Sequence, residues 1–108
     1  MSKAEGERGK GYIYVEMTIH DPERFKQYTA LSAPAVNAAG GSYRIAGVRP
    51  EVLEGSVAAD RIVLVEFDSP ERARAFYHSA AYQAAKAKRA DVADFKMLLL
   101  RGAPPRER

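Results

Sequence analysis

The sequence predicts an α+β fold in which an antiparallel sheet of four strands carries its helices on one face. One observation is a repeat, because a strand followed by a helix that starts with Pro-Glu occurs at Pro22 and again at Pro70, 48 positions later. Another is the order of the segments, which reads strand, helix, strand, strand, helix, strand. Together they indicate the split βαβ arrangement.

The first unit begins with residues 12–19, which alternate apolar and polar side chains and therefore predict a strand. Asp21 suits the N-cap of the following helix, and Pro22 suits its first position. Pro34 is expected to break or kink this helix. The residues that we expect to face inward are Phe25, Tyr28 and Leu31.

The middle of the chain predicts short elements. Gly40-Gly41 is expected to end the helix and to open a strand over residues 42–47. Residues 51–55 predict a hairpin arm or another short strand. Residues 61–68 predict a strand with apolar side chains on both faces, so that both faces need to be covered.

The second unit predicts a helix from Ser69, with an apolar stripe at helical spacing formed by Ala73, Phe76, Tyr77 and Ala80. Ser79 is expected to cap a new helical segment, which places Arg89 on its inward stripe. Residues 95–100 predict the last strand. Residues 1–10 predict a disordered lead-in and residues 103–108 a frayed tail, so the single domain is expected to span residues 11–102.

Composition narrows the classes of function. The chain has 108 residues, 46% of them hydrophobic, and no cysteine, which excludes disulfides, thiolate metal sites and a cysteine nucleophile. Between Tyr12 and Leu100 there are 11 basic and 11 acidic residues, so the body lacks the basic excess that binds nucleic acid. No signal peptide or membrane span is evident, and a cytoplasmic protein with no membrane partner is expected.

The strands indicate a partner for the sheet. Two helices cover one face, and apolar residues on the other face would leave a patch larger than monomers normally expose. We therefore predict a homodimer in which two copies pair through their sheet faces.

An ordered series of motifs carries a resemblance to a known family from about Tyr12 to Gly102. The motifs are the strand before Asp21-Pro22, Gly40-Gly41, Glu51-Val52-Leu53-Glu54-Gly55, Val65-Glu66-Phe67, Ala75-Phe76-Tyr77-His78-Ser79, Tyr82-Gln83 and Arg89. The chain resembles the family catalogued as domain of unknown function 1330. That family is similar to the dimeric α/β barrel group, in which two ferredoxin-like protomers pair their sheets and each keeps a pocket between its sheet and helices.

The resemblance implies a fold and a range of activities. The group includes cofactor-independent monooxygenases, haem-degrading enzymes, polyketide cyclases and muconolactone isomerases, while the family itself has no settled reaction. This chain departs from the family at Ala46, where an arginine is frequent, and at Phe76, where a tryptophan is frequent. If that arginine holds an anionic ligand, Arg44 or Arg49 would have to replace it.

Two residues are the candidate catalytic bases. Glu66 interrupts an apolar strand on the face of Ile62 and Leu64, where burial could raise its pKa and make it a base for removing a proton next to a carbonyl. His78 ends a helix and could act as a base or, as in haem-binding relatives, as an axial ligand. The alternatives are a structural ion pair of Glu66, with Arg89 or across the dimer, and a surface role for His78.

The remaining candidates would bind a substrate. Tyr77, Tyr82 and Arg89 lie on or near the inward stripe of the second helical segment, where they could orient an enol, phenol or carboxylate, or could simply pack. The full set of candidates for substrate binding comprises His20, Tyr28, Arg44, Tyr77, Ser79, Tyr82 and Arg89. Two histidines without ligand spacing make a zinc site improbable, so no metal and no cofactor are predicted.

Two readings of the function stay open from the sequence. One is a cofactor-independent enzyme that abstracts a proton from, oxygenates or cyclises a small aromatic or polyketide-like carbonyl compound. The other is a homodimer that binds small molecules, or responds to stress, without catalysis. A third, nucleic-acid binding on the open sheet, is disfavoured by the neutral body.

Overall fold

The computed structural model describes residues 9–104, which contain four strands and three helices. In chain order the elements are β1 (Gly11–Ile19), α1 (Pro22–Ala38), β2 (Ser42–Val48), β3 (Arg61–Phe67), α2 (Pro70–His78), α3 (Ala80–Ala87) and β4 (Ala93–Arg101). None of these helices combines the length and the apolar character needed to cross a bilayer. Residues 1–8 and 105–108, which hold most of the two predicted tails, lie outside the described residues, so the domain limits stay predictions.

The strands form one antiparallel sheet in the order β2-β3-β1-β4. β1 lies in the centre, where its Val15 is paired with Val63 of β3 and with Met97 of β4. The predicted ferredoxin-like βαββαβ fold is therefore confirmed.

Side-chain caps start the helices where the sequence predicts. Asp21 accepts a hydrogen bond from the backbone N–H of Arg24 at 3.1 Å, and Ser69 accepts one from Arg72 at the same distance. Ser79 ends α2 and caps α3 by accepting the N–H of Tyr82 at 3.1 Å. Capping residues of this kind satisfy backbone donors that have no partner within the helix.

Two details of α1 differ from expectation. The helix does not break at Pro34 but continues to Ala38, since proline removes one backbone hydrogen bond while buried Ala35 and Val36 beyond it hold the last turn against the core. Leu31 is 39% exposed, and the buried position belongs to Ser32, which lies four residues after Tyr28.

The segment between β2 and β3 also differs from expectation. Residues 51–55 form neither a strand nor a hairpin arm, and the whole connection from 49 to 60 is irregular. Its Leu53 is 85% exposed. β4 is longer than predicted at both ends, because it pairs with β1 over the whole length of that central strand.

The core lies between the helices and one face of the sheet. Ile13, Val15 and Met17 of β1 face it, and Phe67 of β3 is its largest fully buried apolar residue after Tyr82. Because side chains alternate along a strand, the intervening residues lie on the opposite face of the sheet. No helix of the described chain covers that face. The sheet therefore presents two chemically different faces.

Candidate functional site

A cavity of about 350 Å³ lies between α1 and the helix-covered face of the sheet. Its walls are mostly apolar and come from β1, α1, β2, β3, α2, α3 and β4. The lining residues are Ile13, Val15, Met17, Ile19, Phe25, Tyr28, Thr29, Ser32, Ala33, Val36, Tyr43, Ala46, Gly47, Arg61, Val63, Val65, Phe76, Tyr82 and Met97. Ligand pockets typically have this composition, with a few polar groups in an apolar wall.

The polar groups of the cavity include a pair of buried phenols. The hydroxyl oxygens of Tyr28 and Tyr82 lie 2.9 Å apart, and the two rings meet edge to face. The Tyr82 hydroxyl also lies 3.7 Å from the sulfur of Met97. Tyr28 and Tyr82 come from opposite halves of the chain, so both copies of the strand-helix unit build the site.

Arg89 stands behind the phenol pair and does not line the cavity. Its guanidinium Nη2 donates a hydrogen bond to the Tyr82 hydroxyl at 3.3 Å, and its plane lies over the ring of Phe95 at 3.9 Å. The Nε of Arg89 is buried without a hydrogen-bond partner, and no carboxylate pairs with this side chain in residues 9–104. Its charge is therefore stabilised by phenol oxygen and aromatic faces.

Burial raises the pKa of two phenols of the cavity, Tyr28 and Tyr43. Desolvation raises the pKa of Tyr28 far above its ordinary value, and the adjacent Tyr82 raises it further, against the opposing effects of Arg89 and Ser32. The pKa of Tyr43 is also raised, chiefly by burial, while a hydrogen bond with Ser32 acts in the opposite direction. Ser32 lines the cavity together with these two phenols of α1 and β2.

Glu66 lies on the other face of the sheet and does not line the cavity. It accepts a hydrogen bond from Arg44 at 2.8 Å and another from the Tyr12 hydroxyl at 2.9 Å. The hydrogen bond from Arg44, followed by that from Tyr12, lowers the pKa of this carboxyl. The expected rise in pKa is therefore wrong, and the partner of the ion pair is Arg44, which is exposed, rather than Arg89.

His78 and Tyr77 border a separate surface depression of about 260 Å³, together with Arg74. His78 is exposed at the end of α2. The Tyr77 hydroxyl accepts a hydrogen bond from Lys86 at 2.7 Å, and its ring packs against Tyr82. The structure therefore does not bring Glu66 and His78 to one void.

Two further candidates have local structural roles. His20 is exposed and pairs with Asp94 at 2.9 Å. The Ser79 hydroxyl donates to the carbonyl of Phe76 at 2.7 Å while it caps α3. Of the nine predicted site residues, only Tyr28 and Tyr82 line the main cavity.

The cavity contains polar residues that the sequence prediction missed. Ala46, the position where the family frequently has an arginine, does line the cavity, but Arg44 points to the other face and Arg49 lies outside. Arg61 at the start of β3 supplies a guanidinium to the wall instead. The spacing from Phe25 and Tyr28 could have identified Ser32, whereas nothing local singles out Arg61 or Tyr43.

No metal site is visible in the described part of the chain, where no three histidine, aspartate or glutamate residues cluster. The cavity wall itself holds phenols, hydroxyls and one guanidinium. These groups are suited to hydrogen bonding with an oxygen atom of an organic ligand.

Solved structures share this fold at low sequence identity. A protein of unknown function from Rhodopseudomonas palustris has a TM-score of 0.71 at 16% identity, covering 91% of this chain and 85% of that one. SnoaB from Streptomyces nogalater, a cofactor-independent oxygenase, has a TM-score of 0.55 at 14% identity, covering 85% of this chain and 91% of SnoaB. A dimeric protein of unknown function with a ferredoxin-like fold, from Bacteroides fragilis, has a TM-score of 0.61 at 11% identity, covering 87% of this chain and 97% of that one.

Sequence comparison assigns the family. No curated protein is significantly similar to this chain in sequence. A family model described as Domain of unknown function (DUF1330) matches residues 10–103, which include every strand and helix of the fold. The chain therefore belongs to the DUF1330 family.

Proposed function

We propose that this protein binds a small aromatic or polyketide-like carbonyl compound in the cavity between its sheet and its helices. The observation that carries the proposal is an apolar cavity of about 350 Å³ whose wall contains the hydrogen-bonded hydroxyls of Tyr28 and Tyr82. Cavities of roughly 300 to 1,000 Å³ are usual for small-molecule ligands.

The walls match the two parts of such a ligand. Phe25, Phe76 and the aliphatic residues of the sheet offer apolar contact to a ring system. A phenol hydroxyl can donate a hydrogen bond to a carbonyl or enolate oxygen. A ligand without a polar atom would make no hydrogen bond with these hydroxyls.

A second candidate function is turnover of the same compound without a cofactor. The fold shared with the oxygenase SnoaB favours it, and so does the donor pair, which would stabilise the oxyanion formed when a proton is lost next to a carbonyl. Glu66 and His78 do not border the cavity, and its described lining has no carboxylate or imidazole. Such a reaction would therefore depend on a substrate that is itself acidic.

We further propose that two copies pair through the open faces of their sheets. Leu98 is 45% exposed and Leu100 is 42% exposed on this face of β4, next to Tyr12 and Tyr14 of β1. A second copy would cover this apolar surface. The dimeric relative from Bacteroides fragilis, which has the same fold, supports the proposal.

The ligand proposal can be tested with 1,8-dihydroxyanthrone, a tricyclic ketone with an acidic methylene group. We expect binding of one molecule per chain in fluorescence titration, and about fivefold weaker binding by Tyr28→Phe, since a hydrogen bond contributes roughly 1 kcal/mol. Ala46→Trp should fill the cavity and abolish binding. Tyr77→Phe is the matched control, because it removes a phenol outside the cavity while keeping its ring.

Oxygen uptake distinguishes an enzyme from a binding protein. An oxygenase would convert the anthrone and one O₂ into the anthraquinone and water faster than buffer does, and Ala46→Trp would lose this activity. Binding without added oxygen uptake would favour the non-catalytic reading. Absence of binding to the wild-type protein, or equal binding by Ala46→Trp, would contradict the proposed site.

A further inference from the structure

Arg89 is a cation held against the candidate site without a carboxylate to neutralise it. Its guanidinium contacts the Tyr82 hydroxyl and lies over Phe95, and its Nε has no hydrogen-bond partner. A guanidinium that is partly removed from water is costly unless something compensates its charge. The described residues supply only neutral and aromatic partners.

The donor character of Arg89 determines the direction of its hydrogen bond with Tyr82. Arginine can only donate, so the oxygen of Tyr82 accepts from it. The Tyr82 hydroxyl also lies 2.9 Å from the Tyr28 oxygen and 3.7 Å from the Met97 sulfur, to which it can donate. Either phenol can be the donor of the bond between the two hydroxyls.

Arg89 places a positive charge directly behind the phenol pair that lines the cavity. Its guanidinium carbon also lies 5.8 Å from the ring centroid of Tyr28. Coulombic attraction between opposite charges is stronger in an apolar surrounding than in water. The position of this cation therefore favours a negatively charged ligand in the cavity.

We infer that the cavity selects its ligand as an anion, an aromatic phenolate or enolate, and that the positive charge of Arg89, held behind Tyr82 and Tyr28, produces this selectivity. Arg89 is a positioning residue here, since it does not line the cavity. The inference rests on the proposed function, because it specifies the ionic form of the ligand that the cavity binds. It also accounts for a cation that has no counter-ion in the described chain.

Other cationic and phenolic side chains around the phenol pair determine which control variants are needed. Arg61 of β3 is a second cation in the cavity wall, and Tyr43 of β2 is a further phenol. On the far side, Tyr77 of α2 packs on Tyr82 and is bonded by Lys86 of α3. β1 and β4 contribute only apolar side chains to the lining.

The test uses 4-nitrophenol, whose phenolate has a distinct visible absorbance and whose free pKa lies near neutrality. Titration of the bound probe should give a pKa at least about one unit below the free value, which is a roughly tenfold preference for the phenolate. An apolar cavity without a nearby cation would instead raise the bound pKa, because burial disfavours the charged form. The wild-type protein alone thus decides the sign of the shift.

Variants assign the shift to Arg89. We expect Arg89→Met to bring the bound pKa back to the free value or above it, and Arg89→Lys to keep part of the shift. Arg44→Met, on the other face of the sheet, should leave it unchanged. Circular dichroism checks that each variant is folded.

Each other outcome overturns something specific. A bound pKa at or above the free value in the wild-type protein overturns the inference and leaves the binding proposal intact. If the lowered pKa of the bound probe persists in Arg89→Met and disappears in Arg61→Met, then Arg61 in the cavity wall causes the selectivity. That result also overturns the inference. Failure of the wild-type protein to bind either 4-nitrophenol or the anthrone overturns the proposed function itself.

Discussion

Two clusters of tyrosine and arginine lie on opposite faces of the same sheet. On the open face, Tyr12 and Arg44 both donate to Glu66. On the covered face, Arg89 donates to Tyr82, which is bonded to Tyr28. The clusters have similar residue types, but one contains a carboxylate and the other does not.

The presence or absence of a carboxylate determines the role that each cluster can have. Glu66 accepts from both of its neighbours, which lowers its pKa and occupies the donors, so that the cluster is a closed structural ion pair. The Tyr28 and Tyr82 cluster has no internal acceptor of comparable strength, and it borders an open volume. A polar cluster next to a cavity is thus a better site candidate when its own charges are left without a partner.

The largest effect is expected on the open face. Leu98→Lys should raise the dissociation constant of the dimer by at least about 100-fold, since a symmetric interface contains the changed residue twice and a buried lysine would lack a partner. Light scattering coupled to size-exclusion chromatography measures it, with Ala84→Lys on the exposed side of α3 as the control. A wild-type monomer at micromolar concentration would contradict the dimer and leave the Glu66 cluster exposed to water.

The sequence was sufficient to predict the fold. Strand alternation in residues 12–19 and the two Pro-Glu helix starts are local signals, and the structure retains both. The errors at Leu31 and Pro34 arose where burial against the sheet outweighed local preference. The long connection from 49 to 60 was misassigned because its apolar residues resemble a strand, although they pair with no neighbour.

The site was much harder to predict from the sequence. Glu66 was correctly placed on the face of Ile62 and Leu64, but sequence alone does not say which face the helices cover. Partner choice is also nonlocal, so the pairing of Glu66 with Arg44 across two strands could not be separated from pairing with Arg89. Tyr28 and Tyr82, in contrast, were found because both lie on apolar helical stripes.

A smaller effect, on the free energy of unfolding, distinguishes the two clusters at alkaline pH. Burial raises the pKa of Tyr28, so its contribution to stability is fully present below its ordinary value of 10.0 and is lost as the pH rises beyond that. Tyr28→Phe should lower the free energy of unfolding by about 1 to 3 kcal/mol at pH 7, because it takes a hydroxyl from a buried pair. Urea unfolding should then show a shallower decline above pH 10 for the variant, whereas parallel curves would contradict the assignment.

The smallest effect is expected at acid pH and belongs to the Glu66 cluster. The pKa of Glu66 is lowered from 4.5, chiefly by Arg44, so the stabilisation is present above that value and is lost as the pH falls below it. Arg44→Met should reduce stability slightly at pH 7 and not at all in strong acid, since the guanidinium is exposed and water screens the pair. Arg49→Met is the matched control, because its ion pair with Asp60 is longer, at 3.8 Å. If the difference in the free energy of unfolding between wild type and Arg44→Met persists in strong acid, Arg44 stabilises the protein through the packing of its side chain. In that case the ion pair with Glu66 would not distinguish the two clusters.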